Sequence, residues 1–237
     1  MKVAWWWRSL CILAAVNITA WTVVMASGNH EPDRLQLVLS GIYVFGCAFR
    51  SAFPVYDIPR LCLVDSWVSS VLIGRSIATL AELAFAAQWA VYLHASTFES
   101  VRTVSLGIVP LIAIAQLCCW HAVLTTKNLG HVFENSLWGV SAAMIVICLV
   151  VIGLPFAVWT VGGAIYVAYI FFADVPMYWS RWKSDETRGR TYLGLAQGVA
   201  DVARRSQVSM LWKDWRSEVT WMTLYFSIGV WVSISLI

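Results

Sequence analysis

Charge is what this sequence is short of. Only 12% of its 237 residues are Asp, Glu, Lys or Arg, about half the share of a soluble domain, so the polar surface needed in water is missing. The four lysines, Lys2, Lys127, Lys183 and Lys213, all lie outside the apolar runs. A retinal Schiff base needs a lysine inside a span and is excluded. The four histidines are scattered and cannot build the clustered boxes of membrane di-iron hydroxylases. His94 and His121 fall at opposite ends of their spans and cannot face each other across a haem. None of the six cysteines forms a CxxC, which speaks against a disulfide framework and against a zinc motif. GxSxG, HExxH and P-loop patterns are also missing. The net charge of +3 is dispersed and gives no nucleic-acid footprint.

Apolar sequence is plentiful. Hydrophobic residues make up 60% of the chain, with fifteen Trp and eight Tyr, rings that collect at membrane interfaces. The mean hydropathy is +0.72. Runs of about 20 apolar residues recur, the length a ~30 Å hydrocarbon layer requires of a helix. Seven spans are predicted, at 9–27, 35–53, 67–94, 103–126, 136–154, 156–179 and 219–237. The expected fold is therefore all-α: a single polytopic membrane domain, 1–237, with about seven transmembrane helices. The first run extends from about Leu10 to Ser27, longer than the ~7–15 residues of a signal-peptide core, and is read as a span. A tight hairpin is expected at Gly153-Leu154-Pro155.

Orientation follows from Lys and Arg. With the N-terminus cytoplasmic, the inner side holds Lys2, Arg8, Arg50, Arg60, Lys127 and the eight cations of the 180–218 loop, while the outer side holds Arg34 and Arg102. Positive charge stays inside, so the C-terminus is expected outside. Within the 180–218 loop, Tyr192, Leu195, Ala196, Val199, Val202 and Ala203 recur at helical spacing opposite Gln197, Asp201, Arg204 and Arg205. An amphipathic helix on the cytoplasmic interface is expected, with Trp212 and Trp215 near the headgroups. Asp-x-Pro occurs twice, at Asp57-Ile58-Pro59 and Asp174-Val175-Pro176, too short a match to establish a repeat.

The third span reads GRSIATLAELAFAAQW from Gly74 to Trp89 and carries Arg75, Thr79 and Glu82 at i, i+4 and i+7. That spacing places the three on one stripe. Ionisable groups at membrane depth turn toward partners or water, so the stripe points into the protein. A rise of ~1.5 Å per residue puts Arg75 on the order of 12 Å from the inner end of its span and Glu82 beyond ~20 Å. By the same arithmetic His121 and Asp174 lie about 8 Å deep, with Glu134 and Glu218 at the inner mouths of their helices, where carboxylates favour helix N-termini. The expectation is a polar chamber open to the cytoplasm. Glu82, Asp174 and His121 are the candidate proton-moving residues, and Arg75 and Thr79 the candidate substrate contacts. Asp174 is the expected partner of Arg75.

No cofactor is called for, and no spacing motif supports a metal at His121, Asp174 and Glu82. The expected partners are membrane lipids and an amphiphilic small-molecule substrate, with no nucleic acid. The leading expectation is a membrane-embedded enzyme acting by acid/base chemistry; a transporter or receptor, or an assembly subunit, is the alternative. Asn17-Ile18-Thr19 matches a glycosylation sequon but lies within the first span.

Overall fold

The computed structural model describes residues 2–27, 33–154, 157–204 and 206–237. Pro155 of the expected hairpin and Arg205 of the expected loop helix lie outside the described residues. Among the described residues, six helices are long and apolar enough to cross a membrane: α1 (Lys2–Ser27), α2 (Arg34–Ala52), α3 (Val71–His94), α4 (Glu99–Thr125), α5 (Leu129–Val151) and α6 (Val158–Thr187). Two short helices follow, α7 (Leu195–Val202) and α8 (Trp212–Trp215). The last helix, α9 (Val219–Ser235), is apolar but shorter than the six. The chain is thus an all-α, multi-pass membrane protein by the length and composition of its helices.

Local chemistry sets the helix ends. Asp33 caps α2, its carboxylate accepting from the Leu35 amide at 2.9 Å. The third span was expected from residue 67, yet regular α-helix begins at Val71 because the Ser70 hydroxyl accepts from the Ile73 amide at 3.3 Å, as a capping serine does. The fifth helix starts seven residues before its expected boundary, at Leu129 rather than 136. Its polar opening, HVFEN, stays helical because His131 and Glu134 bond to each other.

Two helices carry π-helical turns, Ile170–Asp174 in α6 and Tyr225–Gly229 in α9. The first has a visible cause. Pro176 has no amide to offer the carbonyl four residues back, and a mid-helix proline disrupts the regular ladder; the Val175 amide donates five residues back to Ile170 instead. Asp57-Ile58-Pro59, by contrast, forms the turn of a β-hairpin, so the two Asp-x-Pro sequences have different backbones and are no repeat.

The chain divides into two compact units, residues 1–88 with 202–237, and residues 89–201. In the first, α1, α2 and α9 pack around a core that includes Leu10, Tyr43, Val44, Trp215, Met222 and Phe226. A small sheet belongs to this unit. Strands β1 (Val55–Tyr56) and β2 (Leu61–Cys62) pair antiparallel, and β3 (Gln207–Val208) joins β2 in parallel. Trp215 is not at a headgroup-facing surface as expected. It is fully buried, because its indole N–H finds the Ser209 carbonyl at 2.9 Å and its ring meets Trp6 at 5.9 Å.

In the second unit α4 and α5 form a close antiparallel pair. Gly130 permits the approach: a Cβ there would stand 2.6 Å from the Cys118 carbonyl oxygen. The α4–α5 turn is clamped to the end of α6. Asn128 donates to Asp185 at 2.9 Å, and Lys127 lies 3.7 Å from Glu186. Tyr192 donates to Glu186 at 3.1 Å; lost hydration first, then this carboxylate, hold its phenol above the ordinary tyrosine value. Helix α7 docks through Gly198 onto the Leu124 backbone and leaves Leu195 and Val199 exposed, the apolar edge expected of an interfacial helix.

Gly130→Ala is expected to destabilise the protein by about 1–3 kcal/mol, the usual cost of overpacking. Gly107→Ala should be close to neutral, since its nearest neighbour would be the end of Met144 at 3.6 Å. Thermal unfolding in detergent measures both.

Candidate functional site

Three polar groupings stand out in helices that are otherwise apolar. In the first unit, the stripe on α3 is confirmed in part. Arg75 and Glu82 are both buried, and Arg75 Nη2 lies 2.8 Å from Glu82 Oε1. Glu82 is therefore not without a cation at its depth. Two helical turns separate the residues, and the long arginine side chain spans them. Thr79 lies between the two on the same stripe, half-buried. Asp174, the partner expected for Arg75, belongs to the second unit.

The first unit also holds a neutral knot that sequence reading passed over. Gln88, fully buried, donates to the Ser233 carbonyl at 3.1 Å and accepts from the Ser233 hydroxyl. Gln36 donates to the Gln88 carbonyl at 3.0 Å, and the Ser40 hydroxyl lies 3.1 Å from that of Ser233, which is free to accept from it. Asn17, of the Asn17-Ile18-Thr19 sequence, donates to the Phe226 carbonyl at 2.8 Å. These bonds join α1, α2, α3 and α9. Glu218 is also accounted for locally: its carboxylate accepts from Trp221 at 2.6 Å and from Ser217 at 3.0 Å at the start of α9.

The second unit gathers the richer chemistry. His131 Nδ1 lies 2.7 Å from Glu134 Oε2, one turn on along α5, and both residues are 8% exposed. One hydrogen bond thus joins the imidazole to the carboxylate. Cys119 of α4, fully buried, completes a cluster in which thiol, imidazole and carboxylate atoms all lie within 4.8 Å of one another. The Tyr178 ring of α6 packs against the imidazole with centroids 5.0 Å apart. Asp174, one turn before Tyr178, closes the π-helical turn of α6. Glu134, sixth residue of its helix, is a partner of His131 rather than an N-terminal cap.

His121 is placed elsewhere. It is exposed and lines a shallow apolar pocket of about 250 Å³ on the α4–α5 seam, with Leu117, Cys118, Leu129 and Phe133. Cys118 and His121 thus turn to the pocket, while Cys119 is buried in the cluster. The structure brings together Arg75 with Glu82 in one unit and Cys119, His131 and Glu134 in the other. It does not join His121 to the buried histidine cluster. His131 and Cys119 escaped the sequence reading, although His131-x-x-Glu134 at i, i+3 was a usable signal.

The Arg75–Glu82 pair makes a checkable prediction. Arg75→Leu leaves a carboxylate buried without this cation, and breaking a buried pair costs about 3–5 kcal/mol. Combining it with Glu82→Gln should lose less than the sum of the single losses, with a coupling of about 0.5–3 kcal/mol. A thermal-unfolding cycle on the wild type, both single variants and the double variant reads this directly; additive losses would show the bond to be energetically silent.

Comparison with protein-family models, with curated proteins and with solved structures finds no match to this chain.

Proposed function

We propose that the chain is a membrane-embedded enzyme that acts by acid/base chemistry on an amphiphilic, lipid-like substrate drawn from the cytoplasmic leaflet. The observation that carries this reading is the buried His131–Glu134 bond beside Cys119. Ionisable groups at membrane depth are costly and functional by default. A hydrogen-bonded imidazole and carboxylate can hold and pass a proton between them. Asp174 is a second proton-capable group of the same unit, and its π-helical turn is a backbone irregularity of the kind frequent at functional sites. The pocket beside His121 is suited to an acyl chain, with the imidazole available to a polar headgroup. In the first unit, Glu82 is assigned to proton transfer, and Arg75 and Thr79 to substrate contact.

Topology belongs to the same proposal: seven spans with the N-terminus in the cytoplasm. Helix α9 has 17 residues, about 25 Å at ~1.5 Å per residue, and sits at the short edge of the spanning range. A tag after Met1 and another within 184–190 should both be cytoplasmic, and one after Ile237 should not. Cleavage of the 184–190 site in right-side-out vesicles without permeabilisation would overturn the orientation.

A second reading is a carrier, favoured by the π-helical turns of α6 and α9, since carriers use interrupted helices. One reconstitution separates the two. Proteoliposomes made from total membrane lipid are followed by lipid mass spectrometry and by an internal pH dye. The enzyme reading expects new lipid products, reduced about 10²–10⁴-fold in Glu134→Gln, the usual worth of a general acid or base. Proton-coupled flux without any product would favour the carrier and sink the enzyme.

A further inference from the structure

We propose that Cys119, His131 and Glu134 form a divalent-metal site, with zinc the ion that their chemistry fits. The inference takes the buried cluster of the proposed enzyme as its site, and its test reads metal rather than turnover.

The donors come from two helices joined by a short turn, Thr126 to Asn128. The seam between them is fixed where Gly130 meets the Cys118 backbone, one residue from two of the three donors. Their backbones are therefore held before any ion arrives. The donor atoms lie within 4.8 Å of one another. A tetrahedral zinc, with bonds of ~2.0–2.3 Å, sets its ligands about 3.3–3.8 Å apart. The His131 Nδ1–Glu134 Oε2 contact, at 2.7 Å, is closer than that, so for both atoms to bind the ion they must release the proton between them and move apart by about 0.6–1.1 Å. Turning the Cys119 and Glu134 side chains by about 1 Å meets the requirement of the tetrahedron.

Charge argues the same way. A thiolate and a carboxylate carry two negative charges, which a divalent ion cancels. In a helix seam with three donors at most 8% exposed, that neutrality offsets the cost of burying charge. Donor type narrows the ion. Sulfur turns away magnesium and calcium, while imidazole and carboxylate with one thiolate suit zinc. The Tyr178 ring restrains the imidazole from outside, as supporting residues do around metal-bound histidines. Three protein donors leave the fourth position open, the arrangement of catalytic rather than structural zinc.

The test uses the full chain in nanodiscs. Elemental mass spectrometry should find about one zinc per chain, as a single site requires. Cys119→Ser and Glu134→Gln should each lose it by about tenfold or more, and Cys118→Ser, whose thiol lines the outer pocket, should keep it. After chelation, cobalt(II) titrated into the wild type should produce thiolate-to-cobalt charge-transfer absorption that saturates at one equivalent. That band should persist in Cys118→Ser and vanish in Cys119→Ser. The wild-type spectrum alone is decisive should a variant fail to fold: folded protein with neither zinc nor a cobalt band overturns the site. A band that survives Cys119→Ser, or that disappears with Cys118→Ser, overturns it as well. Metal without turnover upholds this inference and removes the enzyme; Glu134-dependent turnover by metal-free protein does the reverse.

Discussion

A polar group among hydrocarbon has no water to bond to, and must be satisfied from within the protein. Several of the most buried polar side chains are placed by that constraint. Gln88 sits fully buried among apolar helices because Gln36 and Ser233 supply its partners. Asn17 reaches the Phe226 carbonyl, where π-helical geometry disturbs the regular ladder of α9. His131 and Glu134 satisfy each other, which lets the polar opening of α5 remain helix. Trp215 is drawn inward by the same rule, since its indole N–H has a carbonyl waiting.

The constraint also separates devices for packing from devices for chemistry. The knot of Gln36, Ser40, Gln88 and Ser233 is neutral and ties three helices together. Neutral amides and hydroxyls are the economical way to fix helix contacts, costing far less to bury than ions. The clamp at the α4–α5 turn uses charges, and there Lys127 and Glu186 are exposed enough to keep part of their hydration. Ionisable donors buried between helices are another matter, and the His131–Glu134–Cys119 cluster, where the polar opening of α5 meets α4, is the clearest of them.

Much of the plan was legible in the chain. Apolar runs gave six helices close to their expected places, and a helical period put Arg75 and Glu82 on one stripe. What was illegible was azimuth. Depth follows from counting residues, but a helix that is apolar nearly all round does not announce its buried face. That is why His121, expected in the chamber, lines a pocket on the α4–α5 seam while Cys119, two residues away, is buried. The fifth span hid its site for another reason. Hydropathy placed its boundary after His131 and Glu134, so the two were read as a polar flank rather than as a bonded pair inside the helix.

The Arg75–Glu82 bond bears on what those charges are for. Both ends belong to α3, so this bond is made within one helix. Its residues are seven apart, beyond the i, i+4 pairs that stabilise a helix locally. A buried ion pair is in any case weak evidence for stability, since apolar replacements of similar volume are often neutral or better. The same unit already fixes α2, α3 and α9 with neutral groups around Gln88. In the proposed chemistry the pair matters for what it can do when disturbed: a carboxylate held by an arginine gives up that partner when an anionic headgroup arrives to compete for the guanidinium. Glu82 would then be left as a buried base beside Thr79, which is the role that the proposed chemistry requires of it.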